Sequence, residues 1–221
     1  MTNGKVTSSD RTPPGFPPPP AFPVGGGILA LFTNLSLTYS TISGNAGYGI
    51  FVDGTNNQSG AVINDCTISS NYLGILATAT TGLSVLFSTI SNNTGSPKWG
   101  GILAGTATLF NSIVAGNSKG PDGSEMILSS DAHVTNTITS TVGLNLGPLQ
   151  NNGGPTQTML PGPGSTAINA VQCPASTPST PRDQRGYPRP DPLDAGLQTA
   201  CDIGAVEVQP PLDRIFSNGF E

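Results

Sequence analysis

Charged side chains are scarce in this 221-residue chain: Lys and Arg number 8, Asp and Glu 13, and His133 is the single histidine. With a formal net charge of -5, the chain has no basic face, which excludes a surface built to neutralise the phosphates of nucleic acid or of an anionic membrane. Long apolar runs are missing as well. No stretch approaches the ~18 residues that a membrane-spanning helix requires. The most signal-like window, Val24 to Phe32, holds three consecutive glycines, follows a proline run and has no adjacent basic region, so it reads as structure. Cysteine is limited to Cys66, Cys173 and Cys201, enough for at most one intramolecular bridge.

What the chain has in quantity is Gly, 29 residues, and Pro, 21 residues. Gly and Pro cost about 1 and 3 kcal/mol in helix interiors, and Ser, Thr and Asn favour caps and turns. The composition therefore excludes a helical bundle and suits many short strands joined by turns. Residues 1–24 hold Pro13, Pro14, Pro17 to Pro20 and Pro23, which lack backbone donors, and are expected to be a disordered Pro-rich lead.

Residues 25–146 repeat. A Gly-Ile pair recurs as Gly27-Ile28, Gly49-Ile50, Gly74-Ile75 and Gly101-Ile102, with isoleucine spacings of 22, 25 and 27. Out of phase with it run Ser40-Thr41-Ile42-Ser43-Gly44-Asn45, Cys66-Thr67-Ile68-Ser69-Ser70-Asn71, Ser88-Thr89-Ile90-Ser91-Asn92-Asn93 and Ser112-Ile113-Val114-Ala115-Gly116-Asn117, whose last asparagines fall 26, 22 and 24 residues apart. Two interleaved motifs with a shared period of about two dozen residues define a unit of at least two short strands, too small to bury a face alone. Stacked ~4.8 Å apart as parallel strands, Ile42, Ile68, Ile90 and Val114 form an internal aliphatic column. Asn45, Asn71, Asn93 and Asn117 form a second column at a turn, where Asn tolerates left-handed angles and stacked amides hydrogen-bond along the ladder. The predicted fold is all-β, a right-handed parallel β-helix of four to five coils. Residues 147–208, rich in Gly and Pro, are expected to wrap or cap the open end of the solenoid, because an uncapped end leaves unpaired strand groups facing water.

The C-terminal third carries four ordered words: residues 146–159 (Leu146-Gly147-Pro148-Leu149-Gln150-Asn151-Asn152-Gly153-Gly154-Pro155-Thr156-Gln157-Thr158-Met159), then Pro163-Gly164-Ser165-Thr166-Ala167-Ile168-Asn169-Ala170, then Asp183-Gln184-Arg185-Gly186-Tyr187-Pro188-Arg189-Pro190, then Cys201-Asp202-Ile203-Gly204-Ala205-Val206-Glu207. This succession resembles the choice-of-anchor Q domain that ends bacterial surface β-helix proteins. Residues 209–221 end in Ile215-Phe216-Ser217-Asn218-Gly219-Phe220-Glu221, which resembles a tail on exported proteins of some Gram-negative bacteria. The resemblance implies an extracellular or outer-surface location. Members of that family carry a signal peptide and more coils, so this chain is expected to be an N-terminally truncated member. The resemblance implies no catalytic activity.

Cys173 and Cys201 are the disulfide candidates, against the alternative of two unpaired small residues; closing their loop contributes roughly 3–4 kcal/mol in the chain-entropy model and fits an oxidising exterior. Cys66 replaces the serines of the other repeats and lines the stack. Asp183, Arg185 and Asp202 read as cap-locking charges, an Arg held between two carboxylates through bidentate bonds. Trp99 beside Lys98, in the longest insertion, is the candidate ligand contact, since aromatic faces stack on sugar rings and proteins alike, against the alternative that Trp99 folds back over its coil. The wider ligand surface is drawn around Asn56, Asn57 and Tyr72. His133 reads as a turn or surface residue.

Catalysis on polysaccharide needs converging carboxylates or a base beside a cation. Between Ile28 and Asn117 the only acids are Asp53 and Asp65 and the only base is Lys98, and the two acids occupy different repeat positions. No catalytic, cofactor or metal residues are assigned. The triplets Thr78-Ala79-Thr80 and Thr106-Ala107-Thr108 are too irregular for a flat ice- or mineral-binding face. The expected function is a non-enzymatic secreted or surface β-helix protein for display or adhesion, monomeric, with a surface polysaccharide or a host or neighbouring-cell protein as partner. The alternative is a polysaccharide lyase or hydrolase-like enzyme, or a carbohydrate-binding remnant of one.

Overall fold

The computed structural model describes residues 26–54, 60–78, 82–173, 182–192 and 199–209. The Pro-rich lead, Asn56, Asn57 and the C-terminal tail from residue 210 lie outside these. Three parallel sheets form the walls of a solenoid. The first contains β1 (Ile28–Leu31), β4 (Tyr48–Asp53), β7 (Leu73–Ala77), β10 (Ile102–Ala104) and β13 (Met126–Ile127). The second contains β2 (Leu35–Thr38), β5 (Gly60–Asn64), β8 (Gly82–Leu86), β11 (Ala107–Phe110) and β14 (His133–Thr135). The third contains β3 (Thr41–Ser43), β6 (Thr67–Ser69), β9 (Thr89–Ser91) and β12 (Ile113–Val114). Among the described residues there is no helix, so none long and apolar enough to cross a membrane.

Each Gly-Ile pair opens a first-sheet strand, and Ile28, Ile50, Ile75, Ile102 and Met126 stand in register one above another. In the third sheet Ile42 pairs with Ile68, Ile68 with Ile90 and Ile90 with Val114. The second sheet adds Leu37, Ile63, Val85 and Leu109 to the same interior. Ile68, Ile90 and Val114 are fully buried. Each such side chain contributes roughly 1.5–3 kcal/mol on leaving water, and their β-branched members suit a strand.

Two corners turn through left-handed backbone. Between the second and third sheets the residues are Tyr39, Asp65, Phe87, Asn111 and Asn136, with φ of 51, 49, 41, 49 and 47°. Between the third and first they are Gly44, Ser70, Asn92 and Gly116, with φ of 71, 60, 58 and 81°. The ladder asparagines were expected to take this conformation themselves; instead the residue before each one does. This leaves the ladder residue free to aim its amide along the stack.

The C-terminal region also differs from expectation. It contains the hairpin of β15 (Leu146–Gln150) and β16 (Thr158–Pro161) and the antiparallel pair β17 (Val171–Gln172) and β18 (Ala200–Cys201). Rather than closing the open end, it lies along the side of the solenoid on the outward face of the third sheet. Among the described residues nothing closes the last coil, where Val134 of β14 is 46% exposed. The cause is chemical. The outward residues of β6 and β9 are hydroxyls, Thr67, Ser69, Thr89 and Ser91, and all are buried, so they need partners that water no longer supplies. Further along the same face, Ile113 and Ala115 pack with Leu144, Ala167 and Ile203 in a second apolar cluster.

Candidate functional site

The third-to-first corner carries the asparagine ladder. Asn45 Nδ2 donates to Asn71 Oδ1 at 2.8 Å, Asn71 Nδ2 to Asn93 Oδ1 at 2.9 Å and Asn93 Nδ2 to Asn117 Oδ1 at 2.9 Å. The backbone N–H of each asparagine donates to the same oxygen. Asn71, Asn93 and Asn117 also reach back to the carbonyls of Ile42, Ile68 and Ile90, so each amide ties coils on both sides. The ladder ends on the buried carboxylate of Glu125, which accepts from Gly116 N, Asn117 N and Asn117 Nδ2 and lies 3.9 Å from Lys119 Nζ. No repeat places an acid there, so the sequence held no signal for Glu125.

An open groove of about 560 Å³ runs along this corner over three coils, lined by Asn45, Asn71, Tyr72, Asn92, Thr94 and Gly95 among others. Every lining residue is uncharged. Tyr72 is half-buried, and the loop passes so close above it that a Cβ on Gly95 would stand 2.5 Å from Tyr72 Cα and 2.8 Å from its ring. The tyrosine is therefore held in place by a neighbour that has to be glycine.

Trp99, the candidate ligand contact, takes the alternative course and folds back over its coil. It is half-buried, its indole lies directly against Gly120, and its Nε1 is buried without a partner among the described residues. Lys98 Nζ covers the ring at 5.6 Å from the centroid. The loop has folded back on itself, and Tyr72 is the aromatic residue that lines the groove.

The second polar constellation is buried and joins the C-terminal wrap to the solenoid. Cys173 and Cys201 are disulfide-bonded, with Cα atoms 5.1 Å apart. Asp183 is fully buried and accepts from Arg185 N, Arg185 Nε, Tyr187 N and Glu207 N. Arg185 pairs with Asp183 at 2.8 Å and gives its remaining bonds to the carbonyls of Asn152 and Glu207. The expected clamp between Asp183 and Asp202 is thus corrected: one carboxylate and two carbonyls hold this guanidinium. Asp202 receives the backbone N–H groups of Asn169 and Val208 instead. Turn geometry decides the difference, since Asp183 is two residues from Arg185 whereas Asp202 is occupied closing its own loop.

Two residues missed from sequence make the main contacts to the solenoid. Gln184, buried between coils, accepts from Thr67 Oγ1 at 2.6 Å and donates to Thr41 Oγ1 at 2.8 Å. Arg189 lies over the Phe87 ring at 4.6 Å, pairs with Glu207 at 3.0 Å and faces Asp65 at 3.6 Å. Their signal was present: both lie in the Asp183–Pro190 word, which was read for its charges closest in sequence. Burial pushes the Asp65 carboxyl up to about 8, with Arg189 opposing and Asp183 and Glu207 adding to the rise. Burial likewise raises Glu207 to about 7. The Cys66 thiol, buried in the stack beside this corner, is pushed up to about 12 by the same cause, which leaves it protonated and unreactive.

Asp53 lies elsewhere, at the end of β4, where its carboxylate accepts from Thr78 Oγ1 at 3.2 Å, so it does not join Asp65. His133 is exposed on β14.

Residues 26–152, more than half of the sequence, match the family model described as right handed beta helix region. The chain belongs to the right-handed β-helix family. Neither the curated proteins nor the solved structures include a match to it. In this β-helix the three parallel sheets and their stacked corners make up most of the matched span, and the described residues after 152 supply most of the lateral wrap.

Proposed function

We propose that this β-helix is a non-enzymatic extracellular scaffold that binds a neutral glycan along the Tyr72 groove. The observation that carries the reading is the groove itself: amides, hydroxyls and one phenol ring, without a charge, fixed on a ladder of buried asparagines. Carbohydrate is bound by that combination, with a ring to stack on and fixed donors and acceptors for hydroxyls. The groove crosses three coils that stack ~4.8 Å apart, which suits a polymer lying across them. The buried carboxylates are committed to structure. Asp183, Asp202 and Glu207 each accept backbone N–H groups within the wrap, which supports binding over hydrolysis.

The Cys173–Cys201 bridge supports a secreted or outer-surface setting. The four C-terminal words support a choice-of-anchor Q type domain of a bacterial surface protein. The test is an array of neutral glycans, followed by calorimetry on the best ligand. Tyr72→Ala should weaken binding by about tenfold or more and Tyr72→Phe should retain it. Failure to bind any glycan would overturn the reading, and steady release of sugar fragments would turn it toward a carbohydrate-active enzyme.

A further inference from the structure

Five carboxylates, Asp65, Asp183, Asp191, Asp202 and Glu207, gather with three guanidinium groups, Arg182, Arg185 and Arg189, at the seam between wrap and solenoid. All five acids are buried. The solenoid contributes Asp65 together with the neutral Tyr39, Cys66 and Phe87, and every other member comes from the wrap. Arg182 is exposed and bonds the Gly186 carbonyl, and Arg185 is committed to Asp183. Arg189 is therefore the one buried cation shared by Asp65 across the seam and Glu207 within the wrap.

Glu207 has the better place, with Arg189 Nη1 at 3.0 Å and the backbone N–H groups of Asp191 and Asp202. Both Asp65 oxygens lack a hydrogen-bond partner among the described residues. A buried carboxylate without hydrogen bonds is costly when ionised. It is tolerated as the neutral acid. We propose that the Asp65–Arg189–Glu207 contact is a proton-operated latch, which holds the wrap on the third sheet while the cluster keeps its protons and releases it when they are lost.

The rest of the seam fits such a release. Gly204 N donates to the Asn111 carbonyl at 2.9 Å and Ala205 N to Thr89 Oγ1 at 3.1 Å. Gly204 has φ of 102°, and a Cβ there would stand 2.7 Å from Ile113 Cδ1 and 2.9 Å from Thr89 Oγ1, so this close approach requires glycine. The Cys173–Cys201 disulfide joins β17 to β18 within the wrap. Opening bares the hydroxyl rows of Thr67, Ser69, Thr89 and Ser91.

The sign follows from burial. Asp65 and Glu207 hold protons in the folded chain up to about 8 and about 7, against ordinary values of 3.8 and 4.5. The folded state thus binds more protons than the unfolded one between these limits. The contribution of the contact is complete below about pH 4, declines as pH rises and is gone above about pH 8.

The experiment is amide hydrogen exchange on the whole chain at about pH 6 and about pH 9, corrected for the intrinsic base-catalysed rate. Protection at Gly204 and Ala205 should fall by about tenfold or more with rising pH, while Ile68 and Ile90 keep theirs. Asp65→Asn should remove most of that fall, and Asn accepts the φ of 49° that Asp65 adopts. Glu207→Gln is a second variant that should also flatten the response. Unchanged protection in the natural chain, the same slope in both variants, or equal loss at Ile68 and Ile90 would each overturn the latch.

Discussion

A single asparagine in the middle of the ladder ties together the coils on either side of it. The amide of Asn93 accepts the main-chain and side-chain N–H groups of Asn71 and donates to Asn117 and to the Ile68 carbonyl. It is fully buried. Asn93→Ala leaves several of these groups unpaired, each costing about 1–3 kcal/mol, so the urea midpoint should drop by the equivalent of about 2–4 kcal/mol. Asn45→Ala removes a donor at the edge of the stack, where the side chain is half-exposed, and should cost about 1 kcal/mol or less. Equal losses at the two positions would refute the ladder as a cooperative element. The asparagines themselves were legible because their type and spacing both repeat. Their terminus, Glu125, was not, since a residue that occurs once leaves no period to detect.

The same distinction separates strands from the wrap. Strands that recur every two dozen residues announce their inward side chains by repetition, and Ile42, Ile68, Ile90 and Val114 fall into register accordingly. The wrap is read once, and its partners are set by which faces of the solenoid need covering. Its lateral course was foreshadowed only by Thr67, Ser69, Thr89 and Ser91, polar residues that look solvent-facing in a strand until something is laid over them. The bridge between Cys173 and Cys201 fixes the β17–β18 pair within this element. Replacing both cysteines by serine should lower the stability of the wrap by roughly 3–4 kcal/mol in the chain-entropy model, seen as lost exchange protection at Ile203 with the β6 and β9 amides unchanged. Protection retained at Ile203 would mean that the apolar cluster around Leu144 and Ala167 holds the element alone.

At the scale of the molecule, stability is divided between two kinds of contact. The solenoid interior is an apolar column that does not respond to pH, whereas the seam holding the wrap is a buried cluster of acids and arginines that does. That division explains how one face of a rigid rod carries a removable cover while another carries a fixed groove. The sequence showed the rod because stacking imposes repetition, and it did not show the groove or the seam because both are assembled from residues on different coils. The most direct test of the whole account is the distance between like residues on successive coils, measured by methyl–methyl NOEs in a chain labelled at Ile and Val. Strong cross-peaks are predicted for Ile42 with Ile68, Ile68 with Ile90 and Ile90 with Val114, each about 5 Å apart, with none between Ile42 and Ile90. Missing neighbour cross-peaks, or contacts that skip a coil, would contradict the stacked β-helix and everything built on it.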